Sequence, residues 1–287
     1  MTDLPPLPRV IIEPMVRRAL IEDFGNSGDL TANILVPDNA HSALSFRPRE
    51  TGIICGQQLA ALTYELVDSR VNYELLSTDG TAVKRHDVTA RVDGPARSLL
   101  SAERVALNFM GRMSGIATLT SRYVEAVRGT SARIAATRKT TPGLRAIEKY
   151  AVLAGGGYAH RESLAAAIMI KDNHIALAGG VDAALSRIKA RADHMAKISV
   201  EVDTLEQFET VLSYEPDVIL LDNMSPAQLS EAVKIAGSTQ YRRPTLEASG
   251  GVNLDTVAAI AASGVDVISV GALTHSAPNF DVGLDAI

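Results

Sequence analysis

Tryptophan is absent from this chain, and aromatic residues make up only 4% of it. That is too few to furnish the stacked rings on which single-stranded nucleic acid is held. A basic excess is missing as well: 28 Lys and Arg stand against 33 Asp and Glu, a formal net charge of −5, which argues against a general nucleic-acid binder. Cysteine is limited to Cys55, so no internal disulfide can form and a reducing compartment is expected. Long hydrophobic runs are lacking. Stretches such as Val218–Leu221 and Val265–Val270 fall far short of the roughly 20 residues that span a bilayer. The opening Met-Thr-Asp-Leu-Pro-Pro-Leu-Pro-Arg does not follow the charged-then-apolar order of a secretory signal. A cytoplasmic protein with neither nucleic-acid nor membrane partners is the expectation.

What remains is an ordinary globular composition, 46% hydrophobic and 21% charged over 287 residues, enough for one large domain or two modest ones. The charge is unevenly spread. Between Arg138 and Lys171 lie six cations (Arg138, Lys139, Arg145, Lys149, Arg161, Lys171) and two acids (Glu148, Glu162). A local charge of +4 in an acidic chain suits a pocket for a small anion, although a solvated helix face would account for part of it.

The chain reads as two halves. Up to Gly94–Pro95, short β-like runs (Ala43–Phe46, Thr51–Cys55, Val71–Leu76, Thr89–Val92) alternate with turn residues, which suggests a sheet-containing domain. Leu107, Met110, Met113 and Ile116–Ala117 then recur at helical spacing, and a second helix is expected through Leu119–Val127. From Arg133 onward, apolar strand segments at Ile134–Ala136, Ala167–Ile170, Ile198–Val202, Val218–Leu221, Thr245–Ala248 and Val265–Val270 are separated by helical patterns. The helices are expected at Val181–Arg191, Leu205–Leu212, Pro226–Ile235 and Leu254–Ala262. Such alternation predicts parallel strands joined by right-handed crossovers. Polar or glycine residues follow strand after strand: Thr137-Arg138-Lys139, Lys171-Asp172-Asn173-His174, Glu201 with Asp203, Asp222-Asn223, Ser249-Gly250-Gly251 and Gly271-Ala272. Barrel enzymes assemble their sites at that end of the strands, and doubly wound open sheets do so too.

Several of these groups carry chemistry. Arg138 can grip a carboxylate or phosphate through two parallel hydrogen bonds, and Lys139 adds a compact charge; taken in isolation, such a pair is more often a surface pair facing a helix carboxylate. Gly155–Gly157 implies unusual backbone geometry that delivers His160 and Arg161 after a bend. Lys171 closes an apolar run, either poised over a ligand or as the first solvated residue. Glu201 and Asp222, each at a strand tail, can hold Mg²⁺ directly or through water, orient a hydroxyl, or pair with the neighbouring cations. The glycines after the last two strands leave backbone N–H groups open to an anion, assisted by the start of the following helix. No Walker-type loop, dinucleotide fingerprint or His-Glu-x-x-His motif is present.

Taken in order, Thr137-Arg138-Lys139-Thr140-Thr141-Pro142-Gly143-Leu144-Arg145, Glu148-Lys149-Tyr150-Ala151, Gly155–Gly157, His160-Arg161 and Lys171-Asp172-Asn173-His174 resemble the quinolinate phosphoribosyltransferase family. The resemblance continues through Glu201-Val202-Asp203, Leu221-Asp222-Asn223, Glu247–Gly251 and Gly271–His275, and upstream through Gly28-Asp29-Leu30-Thr31 and Ser101-Ala102-Glu103-Arg104. It therefore covers essentially the whole chain. One departure is Ala159, where the family commonly carries asparagine.

The resemblance implies phosphoribosyl transfer from phosphoribosyl pyrophosphate to quinolinate with decarboxylation, yielding nicotinate mononucleotide, CO₂ and pyrophosphate for NAD synthesis. It implies an N-terminal α/β sandwich-like domain over residues 1–110, joined by the tail 275–287, and an incomplete, open α/β barrel over 111–274. A homodimer is implied, with Arg104 supplied across the interface. Thr137, Arg138, Lys139, His160, Arg161 and Arg104 would bind quinolinate. Lys171 would sit by the reacting centre, with Lys139 and Lys171 both candidates to protonate the decarboxylated carbon. Glu201 and Asp222 would meet the ribose hydroxyls and Mg²⁺, and Ser249, Gly250, Gly251, Gly271 and Ala272 the 5′-phosphate. Lys139, Lys171, Glu201 and Asp222 are the expected catalytic set. The rival readings are a molybdenum-transport-associated relative with another acceptor, a Schiff-base aldolase built on Lys171, and a non-catalytic anion-binding protein.

Overall fold

The computed structural model describes residues 4–286. Two compact units emerge. The first comprises the chain to Ser121, Thr140–Gly156 and Leu273 onward; the second comprises Arg122–Lys139 and Gly157–Ala272.

In the first unit, His41–Pro48 lies between Val282–Ala286 and Ala90–Pro95 in an antiparallel sheet whose fourth strand is Asn72–Leu75. The C-terminal segment thus closes one edge of this sheet, Leu44 opposite Ala286 and Pro48 opposite Val282. Phe46, Val92, Leu99, Ala102, Ala106, Met110 and Phe280 form one buried cluster, each large apolar side chain contributing about 1.5–3 kcal/mol on removal from water. Asp29 caps the helix Leu30–Leu35 by accepting the Ala32 N–H, and its second oxygen accepts the Ser101 hydroxyl at 3.0 Å. Two sequence motifs far apart in the chain are thereby joined. The two helices expected between Leu107 and Val127 are a single helix, Ala96–Ala126, which runs unbroken through residue 110, where the domain boundary was expected.

The second unit is built on six parallel strands: Arg133–Ala135, Ile168–Ile170, Ile198–Val202, Val218–Asp222, Thr245–Ser249 and Val267–Ser269. From the second onward, sequence neighbours are spatial neighbours, and the last strand pairs with the first. That order is a barrel's winding left open, because Arg133–Ala135 and Ile168–Ile170 are the two edges. Gly157–Ala167 occupies the sequence just before the second edge. Tyr158 makes a parallel bridge to Ala135, its N–H donating to Ile134 and its carbonyl accepting from Ala136.

Helices between the strands form where the pattern predicts. Phe208, Val211 and Leu212 bury one face of Leu205–Leu212, and Thr204 caps it by accepting the Gln207 N–H. Pro226–Ser238 starts with a Ser225/Gln228 capping box and proline at its first turn, each a device that satisfies or removes an orphan N–H. Among the described residues, no helix is long and apolar enough to cross a membrane.

Candidate active site

Strand register decides which side chains share a face. Glu201, Leu220 and Glu247 stand opposite one another across three adjacent strands, and Asp222 stands opposite Ser249 two residues further along. Because side chains alternate with period two, all five project to one side of the sheet. Three of them are carboxylates.

Each carboxylate meets a partner of the expected kind. Glu201 Oε2 lies 2.5 Å from Lys171 Nζ. Lys171 opens the helix Asp172–Ala178, its own N–H donating to His174 Nδ1 at 3.0 Å, so His174 holds the backbone from which the ammonium extends. Asp222 accepts the Ser249 hydroxyl at 2.6 Å and the Asn223 side-chain N–H at 2.8 Å. The Asn223 backbone N–H donates to the Ser249 carbonyl at 2.9 Å. Glu247, only 4% exposed, lies with Oε1 3.2 Å from His160 Nε2.

The cations gather at the open edge. Beyond Arg133–Ala135 the chain turns at Thr137, whose hydroxyl accepts the Lys139 N–H at 3.0 Å. The Tyr158 bridge carries His160 and Arg161 into the same neighbourhood, and Arg161 donates to the Ala167 carbonyl at 3.1 Å. Burial pulls the Arg161 guanidinium below its usual range, the charge of Arg138 pulls it further, and Glu247 partly offsets both. Arg138 Nε is buried with no hydrogen-bond partner among the described residues. Two like charges share a partly desolvated place, one with an orphan donor. Such an arrangement is costly in itself and is relieved by an incoming anion.

The turn Ser249-Gly250-Gly251 has left-handed backbone at both glycines, φ +87° and +61°. A Cβ on Gly250 would sit 2.6 Å from Asn223 Cγ, so only glycine fits there. Asn223 and His160 are themselves at positive φ, +55° and +57°, strain of a kind that concentrates at functional sites. Gly271 and Ala272 follow the strand Val267–Ser269, where the Val270 N–H donates to the Ala135 carbonyl. The expected help from helix starts is weak: after Gly251 the next helix begins only at Val257, and the one after Gly271 is a single turn, Ala272–His275. An anion at these turns would rely on their own N–H groups.

The second unit therefore brings together Thr137, Arg138, Lys139, His160, Arg161, Lys171, Glu201, Asp222, Ser249, Gly250, Gly251, Gly271 and Ala272. Arg104 is exposed on the long helix and belongs to the first unit. Glu247 and Asn223 were not expected as site residues. A carboxylate in the middle of the strand Thr245–Ser249 was the available signal for the first; for the second it was the residue type itself, since asparagine adopts positive φ more readily than other non-glycine residues.

Comparison with known proteins places the chain in a family. Residues 29–114 match the N-terminal domain of quinolinate phosphoribosyl transferase, and residues 116–285 match its C-terminal domain. The chain is 45% identical to the carboxylating nicotinate-nucleotide pyrophosphorylase of Mycobacterium leprae, covering 94% of this chain and 95% of that protein. It is 41% identical to the mitochondrial decarboxylating quinolinate phosphoribosyltransferase 2b of Nicotiana tabacum, covering 98% and 83%. The structure of nicotinate-nucleotide pyrophosphorylase from Francisella tularensis superposes with a TM-score of 0.91 at 34% identity, covering 99% of both chains. On both its domains and nearly its full length, this chain belongs to the quinolinate phosphoribosyltransferase family.

Proposed function

We propose that the chain transfers the phosphoribosyl group of phosphoribosyl pyrophosphate to quinolinate with loss of CO₂, giving nicotinate mononucleotide and pyrophosphate in NAD biosynthesis. The observation that carries this reading is the pairing of Arg138 with Arg161 at a partly buried edge, beside a carboxylate-and-glycine turn on the same sheet face. A pyridine dicarboxylate answers the first feature. A phosphorylated sugar answers the second.

In this account Arg138, Arg161, His160 and the Thr137–Lys139 turn clamp the two carboxylates of quinolinate, and Glu247 orients the His160 ring. Asp222 and Glu201 take the ribose hydroxyls, and the N–H groups of Ser249–Gly251 and Gly271–Ala272 take the 5′-phosphate. The bond from the anomeric carbon to pyrophosphate breaks with its electron pair leaving on pyrophosphate, through a transition state of oxocarbenium character. The ring nitrogen donates its pair to that carbon. The quaternised ring then accepts the electrons released as the carboxylate at carbon 2 leaves as CO₂, and an ammonium, Lys139 or Lys171, returns a proton to carbon 2. Positioning and fixed charge do most of the work.

Magnesium fits this donor set as a companion of the co-substrate. The ion is commonly held by one or two carboxylates together with substrate phosphates and water. Glu201 and Asp222 supply that number, and among the described residues no larger group of metal-binding side chains gathers. When bound, the ion would neutralise the departing pyrophosphate. The functional molecule in this reading is a cytoplasmic homodimer, Arg104 of one protomer completing the site of its partner.

The test is direct. Removing one partner of a desolvated charge pair costs about 2–5 kcal/mol, so Arg138→Ala and Arg161→Ala should lower kcat/KM for quinolinate roughly 30-fold to several-thousand-fold in a protein that stays folded. Near-normal efficiency in either variant would show the carboxylate clamp to be misassigned. Mixed dimers of Arg104→Ala and Lys171→Ala chains should regain activity; none, after demonstrated subunit exchange, would contradict a shared site.

A further inference from the structure

The motif Glu148-Lys149-Tyr150-Ala151 has no place in the chemistry above, yet Glu148 is fully buried. It lies in the helix Arg145–Ala154, entirely within the first unit. A buried carboxylate is tolerated only when hydrogen bonds compensate it, and Glu148 accepts four. Arg112 donates to it from Nε at 3.0 Å and from a terminal nitrogen at 2.6 Å, and Thr141 donates both its N–H at 3.0 Å and its hydroxyl at 2.7 Å. Arg112 uses two further donors on the carbonyls of Ala277, at 3.2 Å, and Thr274.

The chain positions of these partners carry the inference. Thr141 is two residues past Lys139, and Thr274 is two residues past Ala272. One loop leads from the cationic clamp and the other from the last glycine turn, and each ends on the same ion pair. Further contacts fix the same segments. Arg145 Nε donates to the Thr140 hydroxyl at 3.1 Å. Next to Arg112, the Gly111 carbonyl accepts the Phe280 N–H at 2.9 Å, and a side chain on Gly115 would collide with the Pro278 backbone.

We propose that Arg112 and Glu148 are positioning residues that anchor the downstream ends of both active-site loops at once. The role rests on the phosphoribosyl-transfer reading for its kinetic consequence, but its structural consequence does not. Replacing Glu148 by glutamine keeps the shape but removes the charge that holds Arg112 and sets an amide N–H against the Thr141 N–H, which loosens Thr141, Arg112 and, through Arg112, the Thr274 and Ala277 carbonyls. Since an error of about 1 Å in a reacting group costs about 10²-fold, one substitution touching neither substrate should raise the KM for quinolinate and for phosphoribosyl pyrophosphate together.

The experiment compares wild-type protein with Glu148→Gln and Thr141→Val, without ligand and in turnover. Hydrogen exchange should rise in Glu148→Gln in peptides covering residues 137–144 and 271–278, and in Thr141→Val in the first alone. In turnover, Glu148→Gln should raise both KM values about 10²-fold, while Thr141→Val should raise mainly that for quinolinate. Exchange unchanged in either segment of Glu148→Gln overturns the proposal whatever the activity. Unchanged KM values in an active enzyme overturn its kinetic half. An inactive wild type with the expected exchange pattern counts against the proposed function and leaves the anchor supported. Thr141→Val, which keeps the ion pair, serves if Glu148→Gln fails to fold: equal exchange in both of its segments would then refute the separate roles.

Discussion

Gly250→Ala isolates the interlock at the end of the Thr245–Ser249 strand, with Gly251→Ala as its internal control. Both glycines have positive φ, so a side chain at either costs about 1–2 kcal/mol for the left-handed backbone. The positions differ in what the new methyl group meets. At Gly251 nothing lies within 4 Å; at Gly250 the methyl would stand 2.6 Å from Asn223 Cγ and 2.9 Å from the Asn223 backbone nitrogen. Asn223 cannot yield freely, because its N–H is held by Ser249 and its side chain by Asp222. The overlap adds about 1–3 kcal/mol, the usual cost of overpacking. The Tm of Gly250→Ala should therefore lie about 2–12 °C below that of Gly251→Ala. The displaced Asn223 also moves Asp222, so the KM for phosphoribosyl pyrophosphate should rise about 10²-fold in Gly250→Ala, with the KM for quinolinate changed far less. Thermal scans and initial-rate kinetics on the two variants decide it. If the two match in Tm and in KM for phosphoribosyl pyrophosphate, the interlock does not position Asp222.

Further predictions follow from single groups. Cys55 is fully buried, and burial pushes its thiol well above the usual range; it should resist thiol reagents at pH 8 until the protein unfolds, and rapid labelling of native protein would contradict this. Burial likewise raises the Asp79 carboxyl, despite donation from Gln57 N–H and Tyr150. A carboxyl with a raised folded pKa holds its proton more tightly when native, so its contribution to stability is complete below about pH 4, the unfolded value, and is lost as pH rises through the folded one. Asp79→Asn should therefore gain stability relative to wild type between pH 4 and pH 7; a constant difference in Tm across that range would refute the assignment. Glu247→Gln keeps the shape beside His160 and should weaken quinolinate binding more than phosphoribosyl pyrophosphate binding, which isothermal titration with each substrate can separate.

Much of the second unit was legible because its rhythm is local. The strand Ile198–Val202 and the helices Val181–Arg191 and Leu205–Leu212 lie where hydrophobic period and caps put them. The break expected in the long helix between Ala117 and Leu119 does not exist, and the reason that Gly111 and Gly115 sit inside that helix is hidden as well. In the fold they are contact points, where the backbone of Pro278–Phe280 approaches too closely for a side chain. That reason lies more than 160 residues away in the chain and leaves no local trace. The site residues followed from their strand-end positions, whereas the burial of Glu247 and the Arg112–Glu148 pair depend on register and long-range packing. The expected helix-dipole support at the glycine turns failed for a similar reason: glycine shows that the chain turns, not where the next helix begins.

The central claim is that the Arg138–Arg161 edge recognises a dicarboxylate that is ribosylated and decarboxylated in one active site. Purified protein given phosphoribosyl pyrophosphate, Mg²⁺ and quinolinate labelled in the carboxylate at carbon 2 measures this most directly. The account predicts nicotinate mononucleotide, pyrophosphate and labelled CO₂ in equal amounts, with little product when nicotinate replaces quinolinate. Equal use of nicotinate, or pyrophosphate release without CO₂, would contradict it.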